Sequence, residues 1–276
     1  MSSTSPILVI GATAKVGARI AAKLGDLGHA VRAVSRRTSP AFDWEDPSGW
    51  APALAGTEVA YVSYVPDLAA EGAPEIITRF IETARTAGVR KLVLLSGRGE
   101  QGAVRCENIV RNSGLDFTLV RASWFNQNFS EGHLHPQVMG GTIALPAGMR
   151  REPFIDVDDI ADVAVAALLD ARHNGELYEV TGPRLLSFDD AAAELAAVTG
   201  RPVQYVPISG AVFHAALLPE VGPFYADLLT NLCAEVFDGR NESLGDGVQR
   251  ALDRQPLDFA DFCRKAASAG AWRQAA

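Results

Sequence analysis

The chain is poor in cysteine and in positive charge, and it has no long uninterrupted apolar run. Its 3 cysteines, Cys106, Cys233 and Cys263, are odd in number and far apart, which fits neither a disulfide framework nor a metal knuckle. They read as reduced, packed thiols. Lys and Arg total 25 against 33 Asp and Glu, a net charge of -8, and the basic residues are scattered. Such a field opposes nucleic acid and anionic membranes. The most apolar helical stretch, residues 160–169, is interrupted by Asp162 and is too short to span a bilayer. Residues 1–6 form a polar tail with no charged segment leading into a long apolar one, so the expectation is a cytoplasmic protein with no membrane partner.

Apolar residues are plentiful all the same. At 48% hydrophobic and 21% charged over 276 residues, the chain can bury a sizeable core, as one large α/β unit or one unit with an appended lobe. The most informative segment is residues 7–17, where four apolar residues (Ile7, Leu8, Val9, Ile10) run into a small-residue turn holding Gly11, Thr13, Ala14, Lys15 and Gly17. Val16, Ile20, Leu24 and Leu27 then recur at helical spacing. A strand, a tight turn and a helix N-terminus together make a cradle for a dinucleotide's phosphates. Unpaired N–H groups and the helix dipole favour an anion, and residues with little side chain let it come close.

The second strand, residues 30–35, ends in Ser35, Arg36 and Arg37, where a cofactor with a free ribose hydroxyl would meet Asp or Glu. A guanidinium there suits the 2′-phosphate of NADP(H). Further strands are predicted at residues 58–63, 91–95 and 116–121, alternating with helices at 16–27, 73–87 and 104–112. The expected fold is a doubly wound parallel sheet of the Rossmann type, residues 1–182, with an irregular insertion near 129–152. A smaller, mostly helical substrate lobe follows over residues 183–276, with helices at 188–199 and 226–237 and a strand at 203–206. In such sheets ligands bind beyond the carboxyl ends of the strands. That rule selects Ser63, Tyr64 and Ser96 for the cofactor side, and Trp124, Phe125 and Asn128 for an aromatic substrate pocket. His133 and, from the lobe, Tyr225 are further substrate-side candidates. Glu131, His133 and His135 could suggest a metal, but a His-x-His pair in a polar loop is ordinarily solvated, and no metal is expected. Asp156, Asp158, Asp159 and Asp162 read as helix-capping acids.

Several separate pieces resemble the NmrA-like branch of the atypical short-chain dehydrogenases. They are the turn at residues 11–17, the Arg36 position, a short strand at 42–44 followed by Trp50 and Leu54, the helix exit at 87–91, the strand end at Leu95 and Ser96, and residues 113–118, 121–128 and 154–161. The resemblance runs over nearly the whole chain and is nearest the bacterial proteins similar to ergot-alkaloid dehydrogenases. It implies an NADP(H)-binding Rossmann domain. Members reduce quinones, triphenylmethane dyes or iminium intermediates, and others are redox-sensing regulators without turnover. Two departures stand out: Ala14 occupies the place of the turn's usual middle glycine, and Ala122 that of an Arg-Pro. If residue 14 needs a positive φ, its β-carbon costs about 1 kcal/mol. Related extended dehydrogenases carry a Tyr-x-x-x-Lys pair with a Glu four residues beyond. Setting that Glu on Glu107 puts Ala103 at the Lys position and Gly99 at the Tyr position, so the dyad is absent and no catalytic residue is assigned. The expected activity is reduction of a small aromatic or unsaturated electrophile. The alternatives are an NADP(H)-sensing regulator that binds a protein partner, and a redox-neutral isomerase or cyclase.

Overall fold

The computed structural model describes residues 5–273, so the first four residues of the polar tail lie outside the described residues. The chain runs β1 (Ile7–Ile10), α1 (Lys15–Asp26), β2 (Val31–Val34), α2 (Trp50–Leu54), β3 (Val59–Val62), α3 (Ala73–Thr86), β4 (Lys91–Gly97), α4 (Gln101–Arg111) and β5 (Asp116–Ala122). Next come α5 (Asn128–Glu131), α6 (His135–Gly140), β6 (Thr142–Leu145), β7 (Arg151–Glu152), α7 (Val157–Leu169), β8 (Leu177–Val180) and β9 (Leu186–Ser187). The last elements are α8 (Phe188–Thr199), β10 (Gln204–Pro207), α9 (Gly210–Val236), α10 (Gly247–Leu252) and α11 (Phe259–Ser268).

Six strands form one sheet in the order β2-β1-β3-β4-β5-β8, with every pair parallel. Because successive side chains point to opposite faces, each central strand feeds two cores. Leu8, Ile10, Ala60, Val62, Leu92 and Leu94 pack on one face under α2, α3 and α4. Ile7, Val9, Tyr61, Val93 and Val120 pack on the other, under α1, α7 and α10. The pattern is the doubly wound α/β architecture expected from the sequence. Val16, Ile20 and Leu24 lock α1 to the sheet, each fully buried aliphatic side chain contributing about 1.5–3 kcal/mol.

A third core joins two distant stretches. Phe129, Leu134, Val138, Ile143 and Leu145 pack with Leu186, Phe188, Leu195, Phe213 and Phe259. β6 pairs with β10 in parallel, and β7 pairs with β9 antiparallel. The stretch that reads as an irregular insertion is thus built into the helical lobe.

Three local expectations need correction. Residues 42–44 form no strand. They are a loop past the edge strand that turns Phe42 and Trp44 into an aromatic cluster with Trp50 and Phe80. The helix expected at 104–112 begins at Gln101, since Gly102 and Ala103 pack inward as its first turn. The helix expected at 226–237 is the second arm of α9, which is bent at Gly222 (φ 77°, ψ 169°) between Pro219 and Pro223. The prolines and an almost all-apolar first arm erase the helical period there.

Candidate active site

The sheet reverses its winding between β1 and β3, and the phosphate turn lies at that point. Gly11 sits at φ 78°, a left-handed conformation that glycine adopts without strain. Its β-carbon would press on Ser63 Cβ at 3.3 Å, so the ends of β1 and β3 meet closely here. Gly17 packs back on the turn, leaving no room for a side chain. Ala14 has φ −83° and ψ 163°, extended backbone that any residue adopts, so its methyl carries no conformational cost. No side chain caps α1, so the N–H groups of its first turn are open to an anion. Thr13 and Ala14 are exposed beside them, whereas Val16 is buried in the sheet core and offers only its backbone.

After β2 the chain is shaped by its own hydroxyls. Thr38 Oγ1 accepts from Ser35 N at 2.8 Å, and Ser35 Oγ accepts from Arg37 N at 3.2 Å. The side chains of Arg36 and Arg37 are exposed, and among the described residues neither guanidinium forms an ion pair.

Beside the turn, at the carboxyl ends of β3, β4 and β5, lies a cavity of about 420 Å³ between the sheet and the helical lobe. Lys15 reaches it from the turn, and Ser63, Tyr64 and Ser96 from the strand ends. Trp124, Phe125, Asn128 and His133 line it from the segment after β5, and Phe213 and Cys233 close it from α9. Eight of the residues selected from the sequence therefore share one wall. Tyr225 does not join them: it is exposed on α9, edge-on to Phe224 at 5.3 Å.

The polar groups of the wall are held from behind. Ser96 Oγ donates to Glu107 Oε1 at 2.7 Å, and Glu107 is buried against Arg121, whose Nε lies 2.9 Å from the same oxygen. Arg121 Nη1 also donates to Glu179 Oε1 at 2.8 Å, and these carboxylates hold the guanidinium in its charged form. Burial lowers the Lys15 ammonium, against the opposing pull of Glu131. His133 faces the cavity edge-on to Trp124 at 5.9 Å, and the surrounding protein together with the Lys15 charge keeps its imidazole neutral.

The other polar motifs are structural. Glu131 pairs with Arg19, and His135 Nε2 lies 2.8 Å from the Ala271 carbonyl oxygen, so neither converges with His133. Among the described residues no three His, Cys, Asp or Glu side chains are grouped to hold a metal ion. Of the four acids read as helix caps only Asp156 caps α7, through Asp158 N; Asp158 pairs with Arg19 and Lys265, and Asp159 and Asp162 bind Arg254, tying the helix to neighbouring elements. All three cysteines are free and buried. No helix among the described residues is long and apolar enough to cross a membrane.

Sequence reasoning passed over Asp67 and Glu100, which the fold brings to the same wall together with Ser123, the neighbour of Trp124 at the end of β5. Glu100 directly follows Gly99, the position singled out for lacking a Tyr, and that adjacency was the available signal.

The family model described as NmrA-like matches residues 103–251, and one described as NAD(P)H-binding matches residues 11–171. The uncharacterized oxidoreductase YesF of Bacillus subtilis is 31% identical, covering 99% of this chain and 98% of its own. Agroclavine dehydrogenase of Claviceps fusiformis is 32% identical, covering 93% and 95%. Among solved structures, an NADPH-dependent quinone oxidoreductase of Escherichia coli aligns with a TM-score of 0.77 at 21% identity, over 96% of this chain and 99% of its own.

Proposed function

The chain belongs to the NmrA-like family, within the NAD(P)H-binding proteins, and from that premise we propose that it is an NADPH-dependent reductase delivering hydride to a small electrophilic acceptor, namely an iminium, a quinone or a conjugated or aromatic compound. The observation that carries this reading is the shared wall. Lys15, from the phosphate turn, and Trp124 and Phe125, from the substrate side, line one cavity, so a dinucleotide laid across the strand ends and a flat apolar acceptor would meet there. An open cavity of this size favours turnover over a sensor whose pocket is filled.

The residues fit the cofactor. Gly11 leaves backbone open to a pyrophosphate, buried Gly17 lets α1 pack tightly on the turn, the uncapped first turn of α1 offers its N–H groups, and Arg36 and Arg37 are free to meet a 2′-phosphate. When bound, the cofactor supplies the hydride. The chain's own part is to orient the acceptor with Trp124, Phe125 and Asn128 and to exclude water through Phe213 and the lobe. Gly99 and Ala103 stand where a Tyr-Lys dyad would be, so proton delivery by that dyad forms no part of the mechanism. The names of the dehydrogenase and quinone-reductase relatives agree with acceptors that are already electrophilic. Buried free thiols and net negative charge support a cytoplasmic enzyme whose partner is a small molecule rather than nucleic acid or membrane.

The test is calorimetric titration with NADPH, NADP and NADH at one ionic strength, followed by NADPH consumption with quinones, dyes and imines. Micromolar NADPH binding, much weaker NADH binding and steady consumption with one acceptor class are expected. Cofactor binding without consumption by any acceptor would overturn the reductase reading.

A further inference from the structure

The loop after β3 and the start of α4 are pressed together. A β-carbon on Gly102 would stand 2.4 Å from Ala69 Cα, and Cys106 Sγ lies 3.6 Å from the Leu68 carbonyl oxygen. This contact brings the carboxyls of Asp67 and Glu100 together on the cavity wall as hydrogen-bond partners. Glu100 occupies the capping position of α4 yet its side chain does not cap it, and Gln101 N donates to Glu235 Oε1 at 3.1 Å. The Glu100 carboxyl lies over Gly97, where a β-carbon would come within 2.1 Å of it. Gly97 thus keeps the space the carboxyl fills.

Neither carboxyl forms an ion pair among the described residues. The charged groups nearby are already engaged: Glu235 with Arg240, Glu107 with Arg121, and Arg98 with Glu179. Burial, the mutual contact, and the Glu235 and Glu107 charges push Glu100 well above the usual carboxylate range, and burial raises Asp67 too. Two touching carboxyls without a cation hold one proton between them. An independent observation points to a polar ligand for the same cavity. Ser123 is 4% exposed, lies on this wall, and its Oγ has no hydrogen-bond partner; Trp124 Nε1 is buried and equally unpartnered. Both are donors lacking an acceptor.

We propose that Asp67 and Glu100 share one proton and form the acid that completes reduction of a neutral acceptor, such as a quinone, whose oxygen is held by Ser123 Oγ and Trp124 Nε1. This rests on the reductase reading. Hydride from NADPH brings two electrons and one new bond to the acceptor, leaving it an anion and the cofactor as NADP. The carboxyl O–H bond then breaks, its proton forms the O–H of the product, and the pair regains a proton from water. A cationic acceptor is neutral after hydride arrives and needs no such proton.

The experiment compares wild type, Glu100→Gln and Asp67→Asn. Infrared spectra of the protein without cofactor are expected to show at pH 7, beside the band of the protonated Glu152 carboxyl that all three proteins share, a second protonated-carboxyl C=O band that each variant loses. With NADPH bound equally well, each variant is expected to lose about 10²-fold in kcat on a neutral quinone, and at least tenfold less on a cationic triphenylmethane dye. A second band unchanged in both variants, or equal losses on both acceptors, would overturn the proposal. If one variant fails to fold, the other carries the test alone. A wild type that shows the second band but consumes no NADPH with either acceptor overturns the reductase reading, and the donor role with it, while leaving the shared proton established.

Discussion

Gly17 lies so close to Gly11 that a β-carbon on Gly17 would stand 2.3 Å from the Gly11 carbonyl oxygen. Backbone cannot yield as a flexible side chain can, so Gly17→Ala must push α1 away from the turn. Urea unfolding is expected to show a loss of about 1–3 kcal/mol, and calorimetry at least a tenfold weaker NADPH affinity. Ala14→Gly is the paired control. Because residue 14 is already extended, the variant is expected to bind NADPH within about threefold of wild type.

Arg36 and Arg37 stand free after a loop tied by Ser35 and Thr38, so their removal leaves the loop's own bonds intact. A charge-assisted hydrogen bond contributes about 1.5–3 kcal/mol. Arg36→Ala is therefore expected to weaken NADPH binding about ten- to a hundredfold and leave NADH binding nearly unchanged. Equal losses for both cofactors in parallel titrations would remove Arg36 from the 2′-phosphate.

Much of this was legible because the first 125 residues obey strong local rules. The unbroken apolar run Ile7 to Ile10, the small-residue turn and the Val16, Ile20, Leu24 stripe at helical spacing announce strand, turn and helix. Where long-range packing decides, the sequence is silent. Nothing local tells β6 to pair with β10 some 60 residues on, or Phe129 to pack against Phe259. Asp67 and Glu100 meet only because Gly102 lets α4 approach Ala69, and neither residue carries a motif. Tyr225 illustrates the opposite failure: an aromatic on a lobe helix suggests a substrate cover, but the bend at Gly222 leaves it in solvent.

Glu107 is 1% exposed and is neutralised by Arg121, which also bridges to Glu179. Removing one partner of a buried pair strands the other charge and costs about 3–5 kcal/mol. Arg121→Ala is expected to lose stability on that scale in chemical denaturation. Because Ser96 Oγ also donates to Glu107, the variant should loosen the cavity wall as well, seen as a raised KM for the acceptor.

Glu152, on β7, is 1% exposed, and one of its carboxyl oxygens has no partner. Burial pushes it up to about 8 from 4.5, although Asn241 and the Arg98 charge pull it back and Glu242 adds to the rise. Between those two values the folded protein holds a proton that the unfolded chain has released. Stability contributed by the neutral carboxyl is therefore full at acidic pH and is lost as pH rises through about 8. Glu152→Gln keeps a neutral side chain of the same shape at every pH. The Tm of wild type is expected to fall relative to this variant as pH rises from about 4.5 to about 8 and to level off above that, with the two nearly equal at pH 4. A constant Tm difference across that range, measured by calorimetry, would show that Glu152 is ionised in the folded protein throughout.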